Sequence, residues 1–115
     1  MTVEDLYSDT ISAFGLGNTP DNERLFLSAL RSVVTALNRK LGESVVSSSE
    51  ITSDDIGFES YCDAVFYAGI KYYLQRLGRF AQDPDAETAG LYARELDMVI
   101  SAKIAADDEF QTRNQ

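Results

Sequence analysis

Apolar residues recur along this chain at helical spacing, in four blocks. Val3, Leu6, Tyr7, Ile11 and Phe14 form one stripe and predict a helix over 3–14. Thr2 suits its N-cap, and Glu4 and Asp5 fall in the first turn, where the helix dipole favours negative charge. Gly15 and Gly17 stop it. The second block runs through Leu25, Phe26, Ala29, Leu30, Val33, Val34, Leu37 and Leu41. Thr19 as N-cap and Pro20 at the first helical position open it; Arg39 and Lys40, then Gly42, close it.

The third block predicts a helix from about Phe58 to Ala81. Val65, Phe66, Gly69, Tyr73, Leu77 and Phe80 form its stripe, widened by Cys62 and Ala68. Gly69 and Gly78 each cost roughly 1 kcal/mol against alanine inside a helix. A reason for Gly69 is the close approach of another helix. Asp83 precedes a proline and should leave the helical region, which ends the element. The fourth helix takes Asp85 as N-cap and Glu87 or Thr88 in its first turn, with Ala89, Tyr92, Leu96, Val99, Ile100 and Ile104 as its core stripe.

Two segments lack a stripe. Residues 43–57, rich in serine and β-branched residues with an acidic pair, read as a long loop. It is either a functional segment or a flexible surface connection, with a short hairpin through Val45–Val46 and Ile51 as a variant. The end of the chain, "DDEFQTRNQ", loses the periodicity and is expected to fray or to fold against a partner. The fold class is therefore all-α: a small bundle of about four helices over residues 1–104, one long middle loop, and an extended tail over 105–115.

Length and composition agree with that picture. A chain of 115 residues, 44% apolar and 25% charged, is one domain that buries a core without staples. No apolar run approaches the length of a membrane span. The acidic N-terminus has no signal-peptide pattern, and a single cysteine allows no disulfide within the chain, so manufacture in a cytoplasm is expected.

Candidate chemistry is sparse. Histidine is absent. That removes the commonest acid–base residue near neutral pH and most histidine-dependent zinc and triad arrangements. Cys62 has no histidine partner and lies on the apolar stripe, so it reads as a buried core thiol. "DPDAETAGLYAR" begins like a calcium loop, but Thr88 stands where glycine is needed and Arg94 where glutamate is needed. "GLGNTP" leads into a helix N-terminus yet lacks the lysine and the preceding strand of a phosphate loop. Asp107, Asp108 and Glu109 are consecutive and cannot all face one ion on a helix. Neither an enzyme nor a cofactor is expected.

The net charge of −9 disfavours direct binding to a phosphate backbone. Against that background "FYAGIKYYLQRLGRF" stands out, since residues 64–82 hold three basic side chains and no acid. Tyr67 and Tyr72 fall off the stripe, near Lys71, Arg76 and Arg79. One reading leaves these tyrosines on the surface with wet hydroxyls. The other makes Tyr67, Lys71, Tyr72, Arg76 and Arg79 a subunit interface, because tyrosine and arginine concentrate at hot spots. Such a basic stripe suits head-to-tail contact with an acidic patch of another copy, which closes into a ring where the rotation permits.

The order of elements carries a resemblance. A short N-terminal helix is followed by "PDNERLFLSALRSVVTALNRKLG", a variable loop, the aromatic helix "YCDAVFYAGIKYYLQRLG" and the last helix "AETAGLYARELDMVISAKI". Over residues 2–105 this resembles the head–tail connector, or adaptor, proteins of tailed bacteriophages. The match lies in helix order, length and pattern rather than in a diagnostic motif. The resemblance implies a virion protein at the head–tail junction, forming a ring, commonly of twelve copies, beneath the portal protein. It would receive the stopper or tail protein and extend a channel that DNA traverses without specific binding. It also implies that the tail, with Asp107, Asp108, Glu109, Phe110 and Arg113, orders against the portal. The alternative is a small acidic inhibitor or DNA mimic acting on a host or phage protein. Acids number ten in residues 1–60 and nine in 61–115, with no dense stripe, which argues mildly against mimicry.

Overall fold

The computed structural model describes residues 2–42, 62–76 and 86–113, with side chains as far as 106. Its helices are α1 (Val3–Phe14), α2 (Pro20–Leu41), α3 (Asp63–Arg76) and α4 (Ala86–Arg113). The all-α class expected from periodicity is the class observed. The 43–57 loop, the Asp85 cap and the outer ends of the third predicted helix, at 58–61 and 77–81, lie outside the described residues.

The first two helices begin and end where their punctuation predicts. The Thr2 hydroxyl accepts the Asp5 amide at 3.0 Å, and the Thr19 hydroxyl accepts that of Asn22 at 3.2 Å. Each thus satisfies an amide that has no partner within its helix. Gly15 and Gly42 close α1 and α2 in the left-handed conformation, at φ 63° and 69°, their amides donating to Ile11 and Asn38 carbonyls. A Cβ is disfavoured at such positions, and glycine has none.

The core is one cluster. Val3 and Leu6 of α1, Phe26, Leu30, Val33 and Leu37 of α2, Phe66, Ile70 and Leu74 of α3, and Val99 of α4 are almost wholly buried. Tyr7 and Phe26 join α1 to α2, with ring centroids 5.1 Å apart. Cys62 is buried, as its position on the stripe predicts.

The centre of the bundle is α3, which packs against α2, α4 and α1. This explains why its sequence is apolar on more than one side. Ile70 and Leu74, outside the predicted stripe, are buried, while Tyr73 is only partly so. Gly69 marks the closest approach: a Cβ there would lie 2.6 Å from Val33 Cγ2 and 2.9 Å from Tyr92 Cε1. Two helices close on α3 at that point, as the glycine suggested.

The fourth helix departs from its predicted stripe. Thr88, Tyr92 and Val99 are buried and Leu96 partly so, but Ile100 and Ile104 are 39% and 56% exposed. Both were expected in the core. Among the described side chains of α4, which reach residue 106, none beyond Val99 is buried, whereas the backbone stays helical through Arg113. Among the described residues, no helix is long and apolar enough to cross a membrane.

A candidate docking groove between the first and third helices

The five residues proposed as one interface fall into two groups. Tyr67 and Lys71, four apart, share one face of α3 and line a groove against α1. Asp9, Thr10, Ala13 and Phe14 supply the α1 wall, and Ala68 and Leu91 complete the lining. The groove has a volume of ≈ 380 Å³ and a mostly apolar surface. Tyr67 is 44% exposed on its rim, and its hydroxyl donates to Asp9 Oδ2 at 2.9 Å. That hydrogen bond, then burial and the nearby carboxylates, raise the Tyr67 hydroxyl above the ordinary phenol range. This bond links Tyr67 of α3 to α1 at the rim.

Tyr72 and Arg76 point elsewhere. At 3.6 residues per turn they lie well around the helix from Tyr67 and Lys71. The Tyr72 ring sits 5.1 Å from that of Tyr73 and 5.3 Å from that of Tyr92. Arg76 lies over Tyr72, 5.7 Å from the ring centroid, and donates to its hydroxyl at 3.3 Å. The second aromatic side thus meets α4 of the same chain. Tyr92 is buried beneath this cluster, and burial above all holds its hydroxyl well above the usual phenol range. Arg79 lies outside the described residues, and of Asp107, Asp108, Glu109, Phe110 and Arg113 only the helical backbone is described.

The groove residues absent from the sequence reading are Asp9, Thr10, Ala13 and Leu91, while Phe14 and Ala68 were read as stripe positions. Leu91 and Met98 carried a signal: they are seven apart, off the main stripe of α4, and both are exposed. The α1 residues carried none, because a groove wall is set by the angle between two helices and not by either helix alone.

A second, more polar cavity of ≈ 470 Å³ lies between α1 and the start of α2, lined by Glu4, Tyr7, Ser8, Ile11, Ser12, Asn18 and Glu23. The Tyr7 hydroxyl donates to Asn18 Oδ1 at 2.6 Å, and burial followed by the Glu23 charge raises its pKa. "GLGNTP" is no phosphate cradle here. Asn22 Nδ2 and the Thr19 amide both donate to the Gly17 carbonyl, and Asp21 and Glu23 put negative charge where an anion would sit. Among the described residues, no group of three or more histidine, cysteine, aspartate or glutamate side chains could hold a metal ion. The groove thus combines an apolar lining with Lys71 and a tyrosine tethered to Asp9.

No protein-family model, no curated protein and no solved structure matches this chain.

Proposed function

We propose that this protein is a structural assembly subunit of a tailed-phage virion: an adaptor that forms a ring between the portal and the tail or stopper and extends the DNA channel. The observation that carries this reading is α4. Among its described side chains, which reach residue 106, the last buried one is Val99, yet the helix runs on to Arg113 and bears exposed Met98, Ile100 and Ile104. A helical arm that outruns its own core and stays apolar on its flanks serves contact with another molecule. The acidic character of the chain, −9 overall, fits a subunit beside a channel that must not hold DNA.

In this role α1–α3 provide the rigid body and the segment from Ala105 onward docks to the portal. The test is the mass of the purified protein by light scattering after gel filtration, alone and mixed with the portal protein encoded nearby. A ring, or a portal complex of fixed stoichiometry, supports the adaptor role. Deleting residues 105–115 should abolish portal docking while the helical domain stays folded. A monomer that ignores the portal but is displaced from a host protein by competitor DNA would establish the inhibitor or mimic instead.

A further inference from the structure

The hydrogen bonds around the joint between α1 and α2 sort into two separate sets. The Gly15 and Leu16 amides both donate back to the Ile11 carbonyl, so they belong to α1. From Gly17 onward the bonds belong to α2. The Gly17 carbonyl accepts from the Thr19 amide and from Asn22 Nδ2, and the Thr19 hydroxyl accepts the Asn22 amide. Among the described residues, no backbone hydrogen bond spans the Leu16–Gly17 junction. Each helix completes its own cap on its own side, so a rotation at that junction breaks neither cap.

Along its length α1 is held by one seam. Val3, Leu6, Tyr7 and Thr10 are its buried residues, and the Thr10 hydroxyl donates within the helix, to the Leu6 carbonyl. The polar cavity against α2 borders one flank of that seam and the groove against α3 borders the other. The polar ties across to α1 are light: Tyr67 reaches Asp9 at the exposed rim, and Tyr7 reaches Asn18 beside the junction. The other three helices form a body without it. α3 packs far more extensively against α2 and α4 than against α1, and the closest approach, at Gly69, brings in Val33 and Tyr92.

We propose that α1 is a hinged strap: it swings away as one unit about Leu16–Gly17 while α2, α3 and α4 stay folded. The opening uncovers an apolar seat that includes the ring of Phe26, buried in the closed form with Tyr7 packed against it. It costs less than global unfolding because it gives up the α1 seam alone. This property stands apart from the adaptor reading, which neither requires nor forbids it.

Native-state hydrogen exchange of the full chain, followed amide by amide at low urea concentrations, tests this. The α1 amides from Tyr7 to Phe14 should exchange through one shared opening, at least about tenfold faster than those of Val33 and Ile70 in the body. That opening should depend on urea clearly, but less steeply than global unfolding. Val99→Ala separates the two events. Val99 is buried eight residues along α4 from Leu91, the α4 residue that lines the groove beside α1. Its truncation weakens the body in the closed and the opened forms alike. Exchange at Val33 and Ile70 should therefore speed up roughly thirtyfold while the α1 amides stay unchanged. Tyr67→Phe, which removes a tie that only the closed form makes, should speed the α1 set about two- to fivefold. The proposal is overturned if the α1 amides exchange as slowly as Val33 and Ile70 and respond to Val99→Ala together with them, because α1 then opens only when the whole chain unfolds. It falls equally if the α1 rates grade inward from the helix ends with no common urea dependence, which is fraying and not a hinge.

Discussion

Val33 of α2 occupies the space that a β-carbon on Gly69 of α3 would need, its Cγ2 lying only 2.6 Å from that point. Tyr92 closes the same space from α4, with Cε1 at 2.9 Å. Gly69→Ala should gain about 1 kcal/mol of helix propensity and lose about 1–3 kcal/mol to overpacking, because valine is stiff at χ1 and cannot swing away. The net expectation is destabilisation, read as a lower urea midpoint with an unchanged slope. Adding Val33→Ala should return part of the loss. A midpoint that rises in Gly69→Ala would show that α2 and α4 do not meet at this glycine.

Tyr67 and Asp9 tie α3 to α1 across the mouth of the groove. The pair is exposed, so its contribution is small. A double-mutant cycle of Tyr67→Phe and Asp9→Ala should give a coupling of about 0.5–1 kcal/mol. A coupling of zero within error would mean that solvent replaces the bond and the rim is not held.

The buried tyrosine predicts an alkaline limb. The Tyr92 hydroxyl is raised first by burial, then by its hydrogen bond to Tyr73 and by the Tyr73 and Tyr72 hydroxyls. In the unfolded chain it titrates near pH 10. Its contribution is thus fully present below about pH 10 and is lost as pH rises toward the folded value, because the unfolded state then binds fewer protons. Urea midpoints measured from neutral pH upward should fall above that point in the wild type and fall less steeply in Tyr92→Phe. Parallel curves for the two proteins would contradict the burial of this hydroxyl.

Two nearby residues of α4 should respond oppositely. Val99 is buried and Ile104 is exposed. Val99→Ala should cost about 2 kcal/mol in thermal or urea unfolding. Ile104→Ser should change monomer stability by no more than about 0.5 kcal/mol, and should weaken self-association. A large stability loss in Ile104→Ser would place it in the core after all.

Much of the fold was legible in the residues themselves. The limits of α1 and α2 follow from Thr2, Gly15, Thr19, Pro20 and Gly42, because caps act through local hydrogen bonds and backbone conformation. Gly69 was readable as a close approach, though not which helices would meet there. The interface residues were legible in type but not in grouping. Tyr67 and Lys71 turned to a groove and Tyr72 and Arg76 to an aromatic cluster, since a list of basic and aromatic residues carries no direction until the helix has neighbours.

By itself the chain determined four amphipathic blocks, where the first two start and stop, an acidic surface with a basic aromatic helix, and a buried cysteine. These depend on contacts within a few residues, on total charge or on a simple period. Only tertiary structure decided that α3 lies at the centre, so that Ile70 and Leu74 are covered as well as Phe66. Only tertiary structure left Ile100 and Ile104 open to solvent while Val99 was covered. A period of 3.6 says which residues share a face; how far along that face a neighbouring helix extends is set by the lengths and crossing angles of the other helices, which no single stripe records.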